Sequence, residues 1–240
     1  MSFLDRLRRR NTTPVPRPAD GVPADEEVTE ADLVEIAEQA VLPGFLTRSE
    51  AVERLREAFE LDDADPTPGR IVELVWSRRS AEQATWEGRS DFDRLDAAFR
   101  RLESEGFVAR MNFTCCTTCG TDEIDDERTP LDTATGYPYR ETMYTFFHQQ
   151  DADRLVDEQA TLFLAYSSWR PAPDTDPDLL AAARAGDEAA RAAVVAHTDV
   201  QVGHKVVDAL KSEGLDVTWD GSHETRIAIA ISDWRKPLPV

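Results

Sequence analysis

Positive charge is scarce in this chain. Its 240 residues carry 27 lysines and arginines against 47 aspartates and glutamates, a net charge of −20, and only Lys205, Lys211 and Lys236 are lysines. A surface so anionic repels phosphate backbones and anionic lipids, which disfavours nucleic acid as a partner. Long apolar runs are missing too. None approaches the roughly 18 residues that a membrane-crossing helix needs, so no membrane span is expected. The basic opening MSFLDRLRRR is not followed by an apolar segment, so it does not read as a secretory signal, and a cytoplasmic location is expected. Also absent are a phosphate loop, a dinucleotide fingerprint, an HExxH helix and a nucleophile elbow. Their absence lowers the expectation of the common enzyme classes and leaves open whether the chain is an enzyme at all.

What remains describes a soluble globular protein, 41% hydrophobic and 8% aromatic, long enough for one large domain or two small ones. Residues 1–26 read as a short basic tail, with Leu4 and Leu7 on one face, followed by a linker extended by Pro14, Pro16, Pro18 and Pro23. Residues 27–106 have helical spacing. Thr29 with Asp32, Thr47 with Glu50, and Ser90 with Asp93 are cap signals, and Thr67-Pro68 opens a further helix. The apolar sides expected are Leu33, Ile36, Ala37 and Ala40, then Val52, Leu55 and Phe59, then Ile71, Val72, Leu74 and Val75, and finally Phe92, Leu95, Phe99 and Leu102.

From Phe107 the period becomes alternating. FVARMNF, ETMYTFFHQQ, TLFLAY, LDVTWDG and TRIAIAIS read as strands, the third as central because it is apolar on both sides, and the last two as a hairpin around Asp220-Gly221. DPDLLAAARAGDEAARAAVVAH reads as two helical pieces around Gly186, and Val202, Val206, Val207 and Leu210 as the next helix. The expected fold is α+β: N-terminal helices followed by a mixed, mainly antiparallel sheet of about five strands with packed helices. Residues 27–106 and 107–240 form its two regions, or together a single domain. A winged-helix reading of the stretch through LESEGFVAR fails on charge, because eight arginines between Arg70 and Arg110 are matched by eight carboxylates.

Cysteine is as scarce as lysine, and all three lie within NFTCCTTCG, at Cys115, Cys116 and Cys119. Two thiolates two residues apart can grip one ion, and the following Gly120 would let the backbone turn beneath them. Strand alternation would send Cys115 and Cys116 to opposite faces unless the strand has already broken, so Cys115 is expected to pack inward while Cys116 pairs with Cys119. A closed zinc site needs four ligands. His148 is the best further donor, on a strand expected to pair with the one that leads to the cysteines, with Asp122 and Glu123 closer in sequence. A redox or catalytic thiol is opposed by the acidic run TDEIDDE, which would raise a thiolate's pKa. Three buried, inert thiols are the remaining alternative. HQQD, His148 to Asp151, reads either as a pocket edge or as the cap of the following turn. Ala228 and Ala230 leave one face of the last strand flat enough for a helix or for a second copy of the sheet in a homodimer.

RLDAAFRRLESEGFVARMNFTCCTTCG, FFHQQD, and VVDALKSEGLDVTWDG with RIAI and DW behind it resemble a bacterial family of uncharacterised proteins classed as a domain of unknown function. The likeness spans residues 90–235 and implies no activity, ligand or catalytic residue. The residues themselves favour a cytoplasmic binding or interaction module with a cysteine-based zinc site, its partner a protein or a small molecule. The alternatives are a thiol- or metal-dependent enzyme with a pocket between the CCTTCG turn and the HQQD strand end, and an adaptor with inert cysteines.

Overall fold

The computed structural model describes residues 28–132 and 136–240. The expected basic tail and proline-rich linker, residues 1–26, lie outside the described residues. Among those described, one unit comprises Arg94–Ala152 and Thr161–Ile231, and the other comprises residues 28–93, Asp153–Ala160 and Ser232–Val240.

Helices α1 (Glu30–Val41) and α2 (Arg48–Phe59) begin at the expected capping boxes, in which Thr29 and Thr47 exchange hydrogen bonds with Asp32 and Glu50. Helix α3 (Thr67–Gln83) has Pro68 in its first turn, where a missing N–H costs nothing. It buries Ile71, Val72, Val75 and Trp76, whereas Leu74, expected on the apolar side, is 58% exposed. These faces meet in one core, which Leu238 from the C-terminal segment completes. That segment is fastened by polar bonds. Trp234 Nε1 donates to the carbonyl of Pro43 at 3.1 Å, and the buried Arg79 donates to the carbonyls of Leu42 and Trp234.

Helix α4 (Asp91–Ser104), capped by Ser90, buries Leu95, Ala98, Phe99 and Leu102. Strand β1 (Phe107–Arg110) follows and pairs in parallel with β2 (Met143–Phe146). Parallel neighbours need a crossover, and here residues 111–142 supply it, carrying all three cysteines on helix α5 (Thr117–Glu123) and the turn that leads into it. β2 then pairs antiparallel with β3 (Ala160–Ser168), the two separated by the single-turn helix α6 (Gln149–Ala152) and a 3₁₀ turn.

After β3 come α7 (Pro177–Ala185) and α8 (Glu188–Ser212), parted by Gly186 in a left-handed conformation. α8 runs unbroken for 25 residues, so the two helices expected on either side of His197 are one. Nothing between them breaks a helix, and buried Val194, Thr198, Val202, Val206 and Leu210 continue a single apolar stripe. Strands β4 (Asp216–Thr218) and β5 (Ile227–Ile231) pair antiparallel and close the sheet, in the order β1-β2-β3-β5-β4. The expected five strands are present and β3 is central. The β4–β5 connection is a loop of residues 219–226 rather than a tight turn. Asp220 organises it by accepting from the N–H of Ser222 and the hydroxyl of Thr225. Ile227, Ile229 and Ile231 point into the core, while Ala230 is exposed.

Candidate metal centre

Strand β1 stops at Arg110, two residues before Asn112, and the chain then bends hard. Asn112 and Thr114 both take left-handed backbone angles, φ 51° and 57°. Asparagine tolerates this region, but a β-branched threonine there is strained by about 1–3 kcal/mol and must be held by its surroundings. The exit of β2 does the holding. Phe113 N–H donates to the carbonyl of Phe147 at 2.8 Å, and Gln149 N–H donates to the carbonyl of Thr114 at 3.0 Å.

The broken strand changes the cysteine geometry. Cys116 is the N-cap of α5, and Cys119 lies one turn along. Cys115 Sγ donates to Cys119 Sγ at 3.5 Å, and the ligand atoms of Cys115, Cys116 and Cys119 all lie within 4.8 Å of one another. Cys115 is exposed and the other two are half-buried. The expectation that Cys115 packs inward is therefore corrected: strand alternation no longer applies once the backbone has turned at Asn112 and Thr114. Thiols sealed in hydrocarbon are not what this loop presents.

Gly120 has a different task from the one its place after CxxC suggested. It is helical, and a Cβ at that position would stand 2.5 Å from Cε2 and 2.7 Å from Cζ of the buried Phe146. The cysteine helix thus rests flush on β2, because glycine alone permits that approach. Ile124, just past the helix, enters the same core with Val108, Tyr144, Phe146 and Trp169.

The three thiols are electrostatically unequal. Cys116 is lowered from the ordinary thiol value, first because the Cys119 N–H points at its sulfur. Burial opposes this, and the Cys119 and Cys115 thiols and the Thr118 N–H reinforce it. Cys119 is pushed up to about 12, because it shares hydrogen bonds with the Cys115 and Cys116 sulfurs and then faces their negative charge. The acidic run TDEIDDE, expected to raise a thiolate's pKa, is not among the causes that act on Cys116. Part of that acidity is spent elsewhere, since Glu127 pairs with Arg110 at 2.8 Å and Asp125 with Arg128 at 3.4 Å.

His148 is not in the sulfur group. It is buried, its Nδ1 accepts from the Asp151 N–H at 3.3 Å, and its Nε2 lies 3.1 Å from Asp151 Oδ2. Asp151 also receives Arg226 Nη1 at 3.1 Å. HQQD therefore caps its turn, one of the two readings of that motif, and gains an arginine that sequence reading had not joined to it. The other histidines are also apart from the cysteines: His197 pairs with Asp174 at 3.0 Å, and His204 stands edge-on to Trp219.

A family model described as Domain of unknown function (DUF6891) matches residues 25–238. The chain belongs to that family. No curated protein and no solved structure matches it. Membership of a family of unknown function agrees with the resemblance read over residues 90–235, and the match extends beyond those residues at both ends. Among the described residues, no helix is long and apolar enough to cross a membrane.

Proposed function

We propose that this protein is a cytoplasmic binding module whose three cysteine thiolates hold one soft metal ion, zinc in the first instance, with a fourth coordination position left for water or a donor from a partner. The convergence of three sulfurs within 4.8 Å on an outward-facing loop carries this reading. Zn–S bonds of about 2.3 Å place tetrahedral thiolates about 3.8 Å apart, so the cluster needs little adjustment to close on an ion. Thiolate ligands also favour zinc or copper(I) over magnesium or calcium. His148 would support the loop from beneath through the Gln149–Thr114 backbone bond, its own nitrogens being engaged by Asp151.

Metal analysis of protein purified without a histidine tag tests the reading. We expect about one zinc per chain and, in a competition with a chromogenic chelator, an affinity loss of more than about 100-fold for Cys116→Ser or Cys119→Ser. Because its sulfur neighbours push Cys119 up, its thiol keeps its proton at neutral pH and must lose it on binding. Affinity should therefore rise with pH across the neutral range, and titration calorimetry in buffers of different ionisation enthalpy should report more than one proton released per ion. A folded protein that takes up no zinc, with thiols that react at the same rate with and without it, would overturn the proposal.

One observation favours a second reading, a thiol-dependent enzyme. Cys116 lowered and Cys119 raised is the inequality a dithiol uses when one sulfur attacks and the other resolves. Rapid, selective alkylation of Cys116 at neutral pH would support it, and uniformly slow labelling would remove it.

A further inference from the structure

A second site lies away from the cysteines, on the other end of the β2–β3 pair. At the register point where Met143 opposes Ser168, the strands open onto a cavity of about 330 Å³. One wall is a face of α8. Thr198, Gln201, Val202 and Lys205 recur at helical spacing and all line it. The opposite wall is the turn after β3, Arg170 through Pro173. Met143, Pro171, Ala172, Pro173 and Val202 make the interior mainly apolar, and the volume lies within the range of small-molecule sites.

Two cations stand at its mouth in a protein rich in carboxylates. Carboxylates outnumber cations by 47 to 27, and several arginines of the same unit lie on acids: Arg110 on Glu103 and Glu127, Arg128 on Asp125, Arg140 on Glu141 and Arg226 on Asp151. Arg170 and Lys205 do not. Among the described residues neither has a carboxylate partner, and the Arg170 guanidinium is held over the Tyr137 ring at 5.3 Å. The acids beside the cavity in sequence are occupied, Asp174 by His197 and Asp199 by the hydroxyl of Ser167. The turn itself is fixed. Ser168 Oγ accepts from Arg170 N–H at 3.1 Å, and Thr198 Oγ1 accepts from Ala172 N–H at 3.1 Å, which ties the turn to α8.

We propose that this cavity binds a small amphiphilic organic anion, its apolar body between Met143, Pro171 and Val202 and its acidic head between Arg170 and Lys205. An apolar recess with two uncompensated cations at its rim suits such a molecule. A neutral ligand would leave the cations unpaired, and an inorganic ion would leave the apolar walls uncovered. The site is independent of the thiols.

The probe is 8-anilinonaphthalene-1-sulfonate, titrated by fluorescence against the full chain, with N-phenyl-1-naphthylamine as its uncharged counterpart. We expect saturable one-to-one binding of the sulfonate, competition by phenyl phosphate or benzoate but not by benzyl alcohol, and weaker binding of the neutral probe. Arg170→Gln and Lys205→Gln should each weaken sulfonate binding about tenfold, the loss of one charge-assisted hydrogen bond. Cys116→Ser should leave it unchanged. Both cations are exposed, so their variants should retain the parent melting temperature, which is measured alongside. Equal affinity for the two probes, non-saturable binding, or unchanged affinity in a folded double variant would overturn the proposal.

Discussion

Gly120→Ala should lower the stability of the protein by about 2 kcal/mol in urea denaturation, a large effect for one methyl group. The added Cβ would meet Cε2, Cζ and Cδ2 of Phe146 at 2.5, 2.7 and 3.2 Å. That ring cannot step aside easily. It is fully buried, with Phe113 edge-on at 5.8 Å and Tyr144 stacked at 6.1 Å. Overpacking of this kind costs about 1–3 kcal/mol, occasionally more, and the roughly 1 kcal/mol that alanine gains over glycine in a helix offsets only part of it. The strain also falls on the cysteine helix, so the zinc affinity of the variant should drop with its stability. Gly69 provides the control. It too is helical, in α3, but a Cβ there would meet nothing within 4 Å, so Gly69→Ala should be neutral or slightly stabilising. If Gly120→Ala behaved like Gly69→Ala, the flush seating of α5 on β2 would be refuted.

The contrast between these glycines marks where sequence reading stops. Local chemistry was legible: the three capping boxes, the central position of β3, and the left-handed Gly186 between α7 and α8 all follow from residue type and spacing. What escaped depends on partners distant in the chain. Strand alternation sends Cys115 inward only if the strand continues through NFT. The turn at Asn112 and Thr114 is imposed by the backbone of Phe147 and Gln149, some 35 residues on. Gly120 looked like a turn residue because nothing in CxxCG names Phe146. The alanine-rich and valine-rich halves of α8 look like two helices in sequence, although their apolar stripes are in phase. The clustering of the thiols was visible, whereas their unequal affinity for protons was not, because it comes from the Cys119 N–H and from sulfur-to-sulfur distances. The cavity at Arg170 and Lys205 was invisible for the same reason, since its walls are separated by up to 63 positions.

Asp151→Ala tests the other long-range connection and should cost about 2–4 kcal/mol. Asp151 is 2% exposed, and its carboxylate accepts from Arg226 Nη1 and lies against His148 Nε2. His148 Nδ1 accepts the Asp151 N–H, His148 Nε2 lies 3.1 Å from Oδ2, and Arg226 Nη1 donates to the same carboxylate. Removing one partner of a buried ionic group commonly costs 3–5 kcal/mol. The lower range stated here reflects Arg226, whose side chain is 37% exposed and keeps both water and the Phe163 ring after the carboxylate is gone. Asp151→Asn retains the shape and an acceptor oxygen and should cost less than half as much. The consequence for the metal site runs through the backbone. Loosening the HQQD turn weakens the Gln149–Thr114 bond that holds Thr114 in its left-handed conformation, and a relaxed Thr114 lets the three sulfurs separate. Zinc affinity should therefore fall in Asp151→Ala, under conditions where the variant is still folded, with all three cysteines intact. A destabilised but folded variant that held zinc as tightly as the parent would show that the thiols converge through α5 and its seat on Phe146 alone, with no contribution from the turn at His148.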